Sequence, residues 1–125
     1  MCIIGFKVLM LKIEIILGDN DVMAISEGLK KIGIGGLTVS KVRGRGKKPG
    51  PEIHASKGSE IFTPQFTDKY KMEAIIPETK EDDVINIIKA NGRIGKIFVS
   101  QILRAIDISK NDEGDETIWD KVQLK

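Results

Sequence analysis

The chain has 125 residues, with 20 Lys and Arg against 18 Asp and Glu and a formal net charge of +2. That near-balance excludes a surface that is uniformly an electrostatic nucleic-acid binder, and leaves room only for a local basic patch. A length of this order predicts one domain, and 41% apolar residues are enough for a substantial core. The single cysteine, Cys2, excludes an internal disulfide and a cysteine-built zinc site. A reducing, cytoplasmic setting is the matching expectation.

The opening MCIIGFKVLMLKIEIIL is interrupted by Lys7 and Lys12. It therefore falls short of the about 18 consecutive apolar residues of a membrane span. No small-residue cleavage site follows, which argues against a signal peptide. Residues 1–9 read as an N-terminal extension, with Met10 a candidate start. Leu11, Ile13 and Ile15 alternate within a first strand over 10–17, ended by Gly18-Asp19-Asn20-Asp21. Asp19, Asn20 or Asp21 is expected to cap a helix over about 21–32, in which Val22, Ile25, Leu29 and Ile32 form one stripe. Gly33, Gly35 and Gly36 end it, and a second strand starts near Leu37.

Residues 43–68, RGRGKKPGPEIHASKGSEIFTPQFTD, lack apolar periodicity and predict a connection longer than a compact domain needs, hence one that is either functional or disordered. Lys69–Pro77 alternates as a third strand. A second helix is expected over 79–90, with Val84, Ile87 and Ile88 on one side and Asn91-Gly92 stopping it. Lys96–Ile102 reads as a fourth strand, which Leu103–Ile108 could extend. The order β-α-β-β-α-β predicts an α+β, ferredoxin-like fold with both helices on one face of an antiparallel sheet and a long loop after strand 2. Ile13, Ile15, Leu17 and Val99 suggest that the other face is apolar too, which predicts a partner subunit. The acidic tail after Ile108 (Asp112, Glu113, Asp115, Glu116, Asp120) is expected to be loosely held.

Two glycine-and-cation elements carry the chemistry. Gly44, Gly46 and Gly50 let backbone N–H groups approach an anion, beside Arg43, Arg45, Lys47 and Lys48. Gly92-Arg93-Ile94-Gly95-Lys96 offers a second such turn. Facing each other, they would hold a phosphate chain. GxGxxxG is no dinucleotide fingerprint here, because it opens no helix. No Ser-His-Asp or Cys-His set and no histidine–carboxylate pair is evident, so a binding protein is expected rather than an enzyme.

The segments GGLTVSKVRGRGKKPG (35–50), KGSEIF (57–62), KYKMEAIIPE (69–78) and GKIFVSQILRAI (95–106) together resemble the PII family of trimeric nitrogen-regulatory signalling proteins. The resemblance covers about residues 10–118, leaving 119–125 as a C-terminal tail. It implies a homotrimer with nucleotide held between subunits. Thr38 and Glu73 would lie by the adenine and ribose, and Gly46, Lys47, Arg93, Gly95 and Lys96 by the phosphates. The family's turn reads TG-x-x-GDGKIF; here NGRIGKIF is two residues shorter and lacks the aspartate. Two phosphate-gripping arginines correspond to Asp107 and Ser109. A cation replaced by an anion reverses the field, which implies ADP or AMP in preference to ATP.

The family's Mg²⁺-ligating glutamine corresponds to Lys48, and Lys69 matches its lysine for 2-oxoglutarate. The resemblance thus implies a carboxylate or bicarbonate near Lys48 and Lys69, without resident metal or covalent cofactor. Residues 43–68 would be the partner-docking arm, through Arg45, Ser59, Ile61 and Phe62, toward an ammonium channel, a transporter or a nitrogen-metabolism enzyme. Ile61 stands where some relatives carry a uridylylated tyrosine, which excludes that modification; Ser59 stands where others carry a phosphoserine. Two further classes are a CutA-like trimer without nucleotide function and an RNA-binding ferredoxin-like module. For the latter the third strand lacks an aromatic pair displayed on an open face, since Tyr70 stands alone there and Phe98 follows the later turn, so no nucleic acid is expected.

Overall fold

The computed structural model describes residues 8–46, 53–54, 61–62, 66–109 and 113–114. In chain order the elements are β1 (Met10–Leu17), α1 (Val22–Lys31), β2 (Thr38–Gly44), β3 (Ile53–His54), β4 (Ile61–Phe62), β5 (Thr67–Pro77), α2 (Glu81–Asn91) and β6 (Gly95–Ile102). Short 3-10 turns at Asp19–Asp21 and Glu78–Lys80 lead into the helices. All three pairings of the main sheet are antiparallel, in the order β2-β5-β1-β6. The chain has the α+β, ferredoxin-like architecture that its β-α-β-β-α-β order predicts.

The core forms where the two periodicities meet. Ile13, Ile15 and Leu17 of β1 and Met72, Ala74 and Ile76 of β5 lie on one face of the sheet, buried beneath Ile25 and Leu29 of α1 and Val84 and Ile88 of α2. Two positions per strand step and 3.6 per helical turn select these residues from each element. The helices approach closely at Gly28, where an added Cβ would lie 2.6 Å from Ile87 Cγ2. A Schellman arrangement ends α1: Ile34 N donates to Leu29 O at 3.0 Å and Gly33 N to Lys30 O at 3.1 Å. Gly33 adopts a φ of 88°, which a side chain would strain. Lys80 Nζ donates to Ile32 O, joining the entry of α2 to the exit of α1.

Three expectations are corrected. First, Ile13, Ile15, Leu17 and Val99 do not cover both faces. Ile13 is registered opposite Val99 and Ile15 opposite Ile97, so all of them share the helix side. The outer face alternates instead among Lys12, Glu14 and Ile16 of β1, Glu73 and Ile75 of β5, and Phe98 of β6. It is mixed rather than apolar.

Second, Leu103–Ile108 does not prolong β6. Pairing with its neighbour β1 ends at Ile102, opposite Met10, the first residue of β1. The chain turns instead: Gly114 N donates to Ala105 O, Ile106 bridges to Glu113, and the Arg104 guanidinium meets both Glu113 carboxylate oxygens at 2.6 and 3.1 Å. Third, the long connection is shorter than 43–68. Backbone pairing extends to Gly44 opposite Thr67, with Lys41 and Arg43 both beside the Asp68 carboxylate. These strand ends carry charge instead of apolar alternation, so periodicity does not reveal them. Within the connection, β3 and β4 pair as a short antiparallel ladder, Ile53 with Phe62 and His54 with Ile61.

Candidate anion-binding turn and sheet edges

The turn between α2 and β6 is built by close backbone approach. Gly92 leaves the helix in an extended conformation (φ −99°, ψ 149°) after its N–H donates to Ile88 O at 2.8 Å. Gly95 then enters β6 directly opposite Leu17, with its Cα so near Ile16 that any Cβ would overlap the Ile16 carbonyl oxygen. Arg93 N donates to Asp21 Oδ2 at 3.0 Å and Arg93 Nε to Asp21 Oδ1 at 3.3 Å. Asp21 was a capping candidate for α1, yet its carboxylate makes no cap hydrogen bond there and holds the turn instead. Beneath the turn lies a cleft of about 310 Å³, floored by Ile25, Ile88 and Ile97 and rimmed by Lys89, Arg93 and Lys96.

The turn's two cations both line this cleft but are held from different sides. Arg93 is drawn toward Asp21 at the start of α1, on the helix side. Lys96, opposite Ile16, belongs to the outer face of the sheet, and is exposed. On that same outer face Thr38 stands directly across from Glu73, so the pair expected by the adenine and ribose is brought together. Glu73 is also engaged with the Lys12 ammonium at 2.9 Å, and Lys71 Nζ lies 3.9 Å away. The hydrogen bond from Lys12 holds the Glu73 carboxyl below the usual carboxylate range, and the same hydrogen bond raises Lys12. No local feature of the sequence pairs Lys12 with Glu73 or Asp21 with Arg93.

The Lys12–Glu73 pair predicts a pH dependence. A lowered Glu73 contributes stability above its ordinary pKa and loses it as pH falls through the lowered value. A raised Lys12 contributes below its ordinary value and loses it as pH rises through the raised one. Stability from this pair is therefore a plateau across neutral pH. Melting temperature followed on acidification should fall more for the wild type than for Glu73→Gln; parallel curves would remove the pair from the account. The effect is small because both side chains are partly exposed to water.

The remaining candidates cluster at the other edge of the sheet. Arg45 and Gly46 are exposed just past the end of β2, and Lys69 is registered opposite Val42. Lys47, Lys48 and Ser59 lie outside the described residues, as does most of the acidic tail. Of Ile61 and Phe62 only the backbone, in β4, is described. Glu113 is the tail residue with a defined role, paired with Arg104. Asp107, which stands where the resembled family has a cation, accepts from Ser109 N at 2.9 Å and Ser109 Oγ at 2.8 Å, closing a local turn.

This arrangement agrees with comparison against known proteins. The family model described as nitrogen regulatory protein P-II matches residues 10–112. The chain belongs to the P-II family. It is 41% identical over 114 residues to the nitrogen regulatory protein P-II of Pyropia yezoensis, covering 87% of this chain and all of that one. Among solved structures it is similar to the B. subtilis GlnK–ATP complex, with a TM-score of 0.70 and 27% identity over 90% of this chain and 98% of that one. It is likewise similar to Arabidopsis thaliana PII bound to citrate, with a TM-score of 0.69 and 30% identity over 87% of this chain and 92% of that one. Among the described residues, no helix of this P-II protein is long and apolar enough to cross a membrane.

Proposed function

We propose that this P-II protein is a trimeric regulator, not an enzyme. It binds a small anionic effector, an adenine nucleotide, in clefts between subunits and signals through the segment after β2. The observation that carries this reading is the sheet order. Thr38 and Gly46 belong to the β2 edge, whereas Gly95 and Lys96 belong to β6, the opposite edge. Three strand spacings of about 4.8 Å separate the two edges by about 14 Å. One chain therefore does not converge them on one guest, but the β2 edge of one copy beside the β6 edge of the next does. In the proposed trimer such head-to-tail contacts close into a ring, as they do when the rotation between copies closes. Exposed Ile94, Phe98 and Leu103, at 85%, 51% and 86% of their full accessibility, supply apolar surface at the β6 edge for that contact.

The ligands of the two structural relatives agree with an anion site, one holding ATP and the other citrate. In this chain Asp107 and Ser109 are turned upon each other and add no positive charge, which favours ADP or AMP over ATP. Lys69, with Lys48, is the proposed carboxylate site. Residues 10–118 form the proposed folded unit, with 1–9 an extension and 119–125 a tail, in a cytoplasmic protein. Binding would shift the arm carrying Arg45, Ser59, Ile61 and Phe62 between states that engage or release an ammonium channel, transporter or nitrogen-metabolism enzyme; coupling of about 1–3 kcal/mol is typical of such switches. The RNA-binding alternative is disfavoured because Tyr70 lies on the helix side and Phe98 on the outer face, so they form no stacking platform.

The test combines light scattering with calorimetric titration of ATP, ADP, AMP, citrate and 2-oxoglutarate. A trimeric mass with saturable nucleotide heat is expected, with the affinity for ADP or AMP above that for ATP. A monomer that takes up no nucleotide would sink the proposal.

A further inference from the structure

The turn at 92–95 begins and ends with glycine and spans the gap between α2 and β6, and glycine leaves a backbone more conformations than other residues do. A loose turn binds an anion poorly, because ordering it on binding subtracts from affinity. Asp21 addresses this from a distance. It is the one buried charged residue among the described residues, at 7% exposure, and it stands 72 positions from Arg93 in sequence. One carboxylate oxygen accepts the Arg93 backbone N–H and the other accepts Nε, so a single side chain fixes both the path of the turn and the direction of its arginine. Asp21 stands at the N-terminal end of α1, where the helix dipole is positive and complements a carboxylate.

We propose that Asp21 is the positioning residue of the nucleotide site: it holds the Gly92–Gly95 turn rigid before ligand arrives, and ties Arg93 Nε to the start of α1. Arg93 is thereby a strut, and Lys96 is the cation the turn presents to phosphate. This rests on the nucleotide reading above for its consequence, though not for the pin itself.

Two variants and two readouts test it. Asp21→Ala removes both acceptors. Asp21→Asn keeps the shape and one acceptor oxygen for the Arg93 N–H, and loses the charge. Amide hydrogen exchange on the unliganded protein should accelerate about tenfold or more at Arg93 and Ile94 in Asp21→Ala, and less in Asp21→Asn, with β1 and β5 amides unchanged. Calorimetric titration with ADP should show about tenfold weaker binding for Asp21→Ala and partial rescue in Asp21→Asn. Wild-type exchange rates at the turn in Asp21→Ala would overturn the proposal. So would acceleration spread equally over the core strands, which marks a merely structural role, or an unaltered ADP affinity. If the wild type itself binds no ADP, ATP or AMP, the nucleotide reading falls, and the exchange measurement alone decides whether Asp21 holds the turn.

Discussion

Gly95→Ala is expected to lower stability by about 1–3 kcal/mol, the range for forcing atoms into a packed site. The added methyl overlaps the Ile16 carbonyl oxygen and comes within 3.2 Å of Leu17 Cβ. Neither neighbour yields easily, because Ile16 and Leu17 belong to β1, which β5 holds from the other side. The strain is relieved only by moving β6 away from β1, and β6 carries Lys96. Loss of nucleotide affinity should therefore accompany loss of stability. Urea denaturation reads the first effect as a lowered midpoint with an unchanged slope. A midpoint equal to that of the wild type would mean that the strands accommodate a side chain there, and that the turn is not built by close approach.

Lys96→Ala separates the two effects that Gly95→Ala combines. The ammonium is exposed at the start of an edge strand, so its removal should shift stability by no more than about 0.5 kcal/mol. If it meets a phosphate as proposed, the charge-assisted contact is worth about ten- to a hundredfold in affinity. Calorimetry with ADP should show that weakening while light scattering shows the same assembly. Undiminished affinity would remove Lys96 from the site and leave the turn as a structural connection. The contrast with Arg93 is informative: Arg93→Ala should loosen the turn without deleting a phosphate contact, because its guanidinium is directed toward Asp21.

Much of this is legible in the residues alone. Alternation at Ile13, Ile15 and Leu17 identifies the strands, and three- and four-residue spacing at Ile25, Leu29, Val84 and Ile88 identifies the helices and the buried side of each helix. Gly33 and Asn91-Gly92 mark the helix ends because the backbone there departs from helical geometry. The glycine-and-cation character of 92–96 is equally visible, since anion chemistry requires small residues beside positive charge.

Pairing across the sheet is a different matter. Alternation says that residues two apart share a face, but which face receives the helices depends on register between strands that are distant in sequence. That is why Val99 belongs with Ile13, and why the outer face carries Lys12, Glu14 and Glu73 rather than a second apolar layer. The end of β2 and the start of β5 pair through backbone groups and charges around Asp68, which leave no hydrophobic period to read.

Composition, periodicity and glycine placement thus determine the β-α-β-β-α-β order, the core residues and the existence of an anion-suited turn, because each is a property of neighbours along the chain. The tertiary structure alone decides that Asp21 grips Arg93, that Lys12 holds Glu73, and that the candidate ligand residues stand on opposite edges of one sheet. Those are contacts between residues tens of positions apart, fixed by strand order and register, which no local pattern encodes.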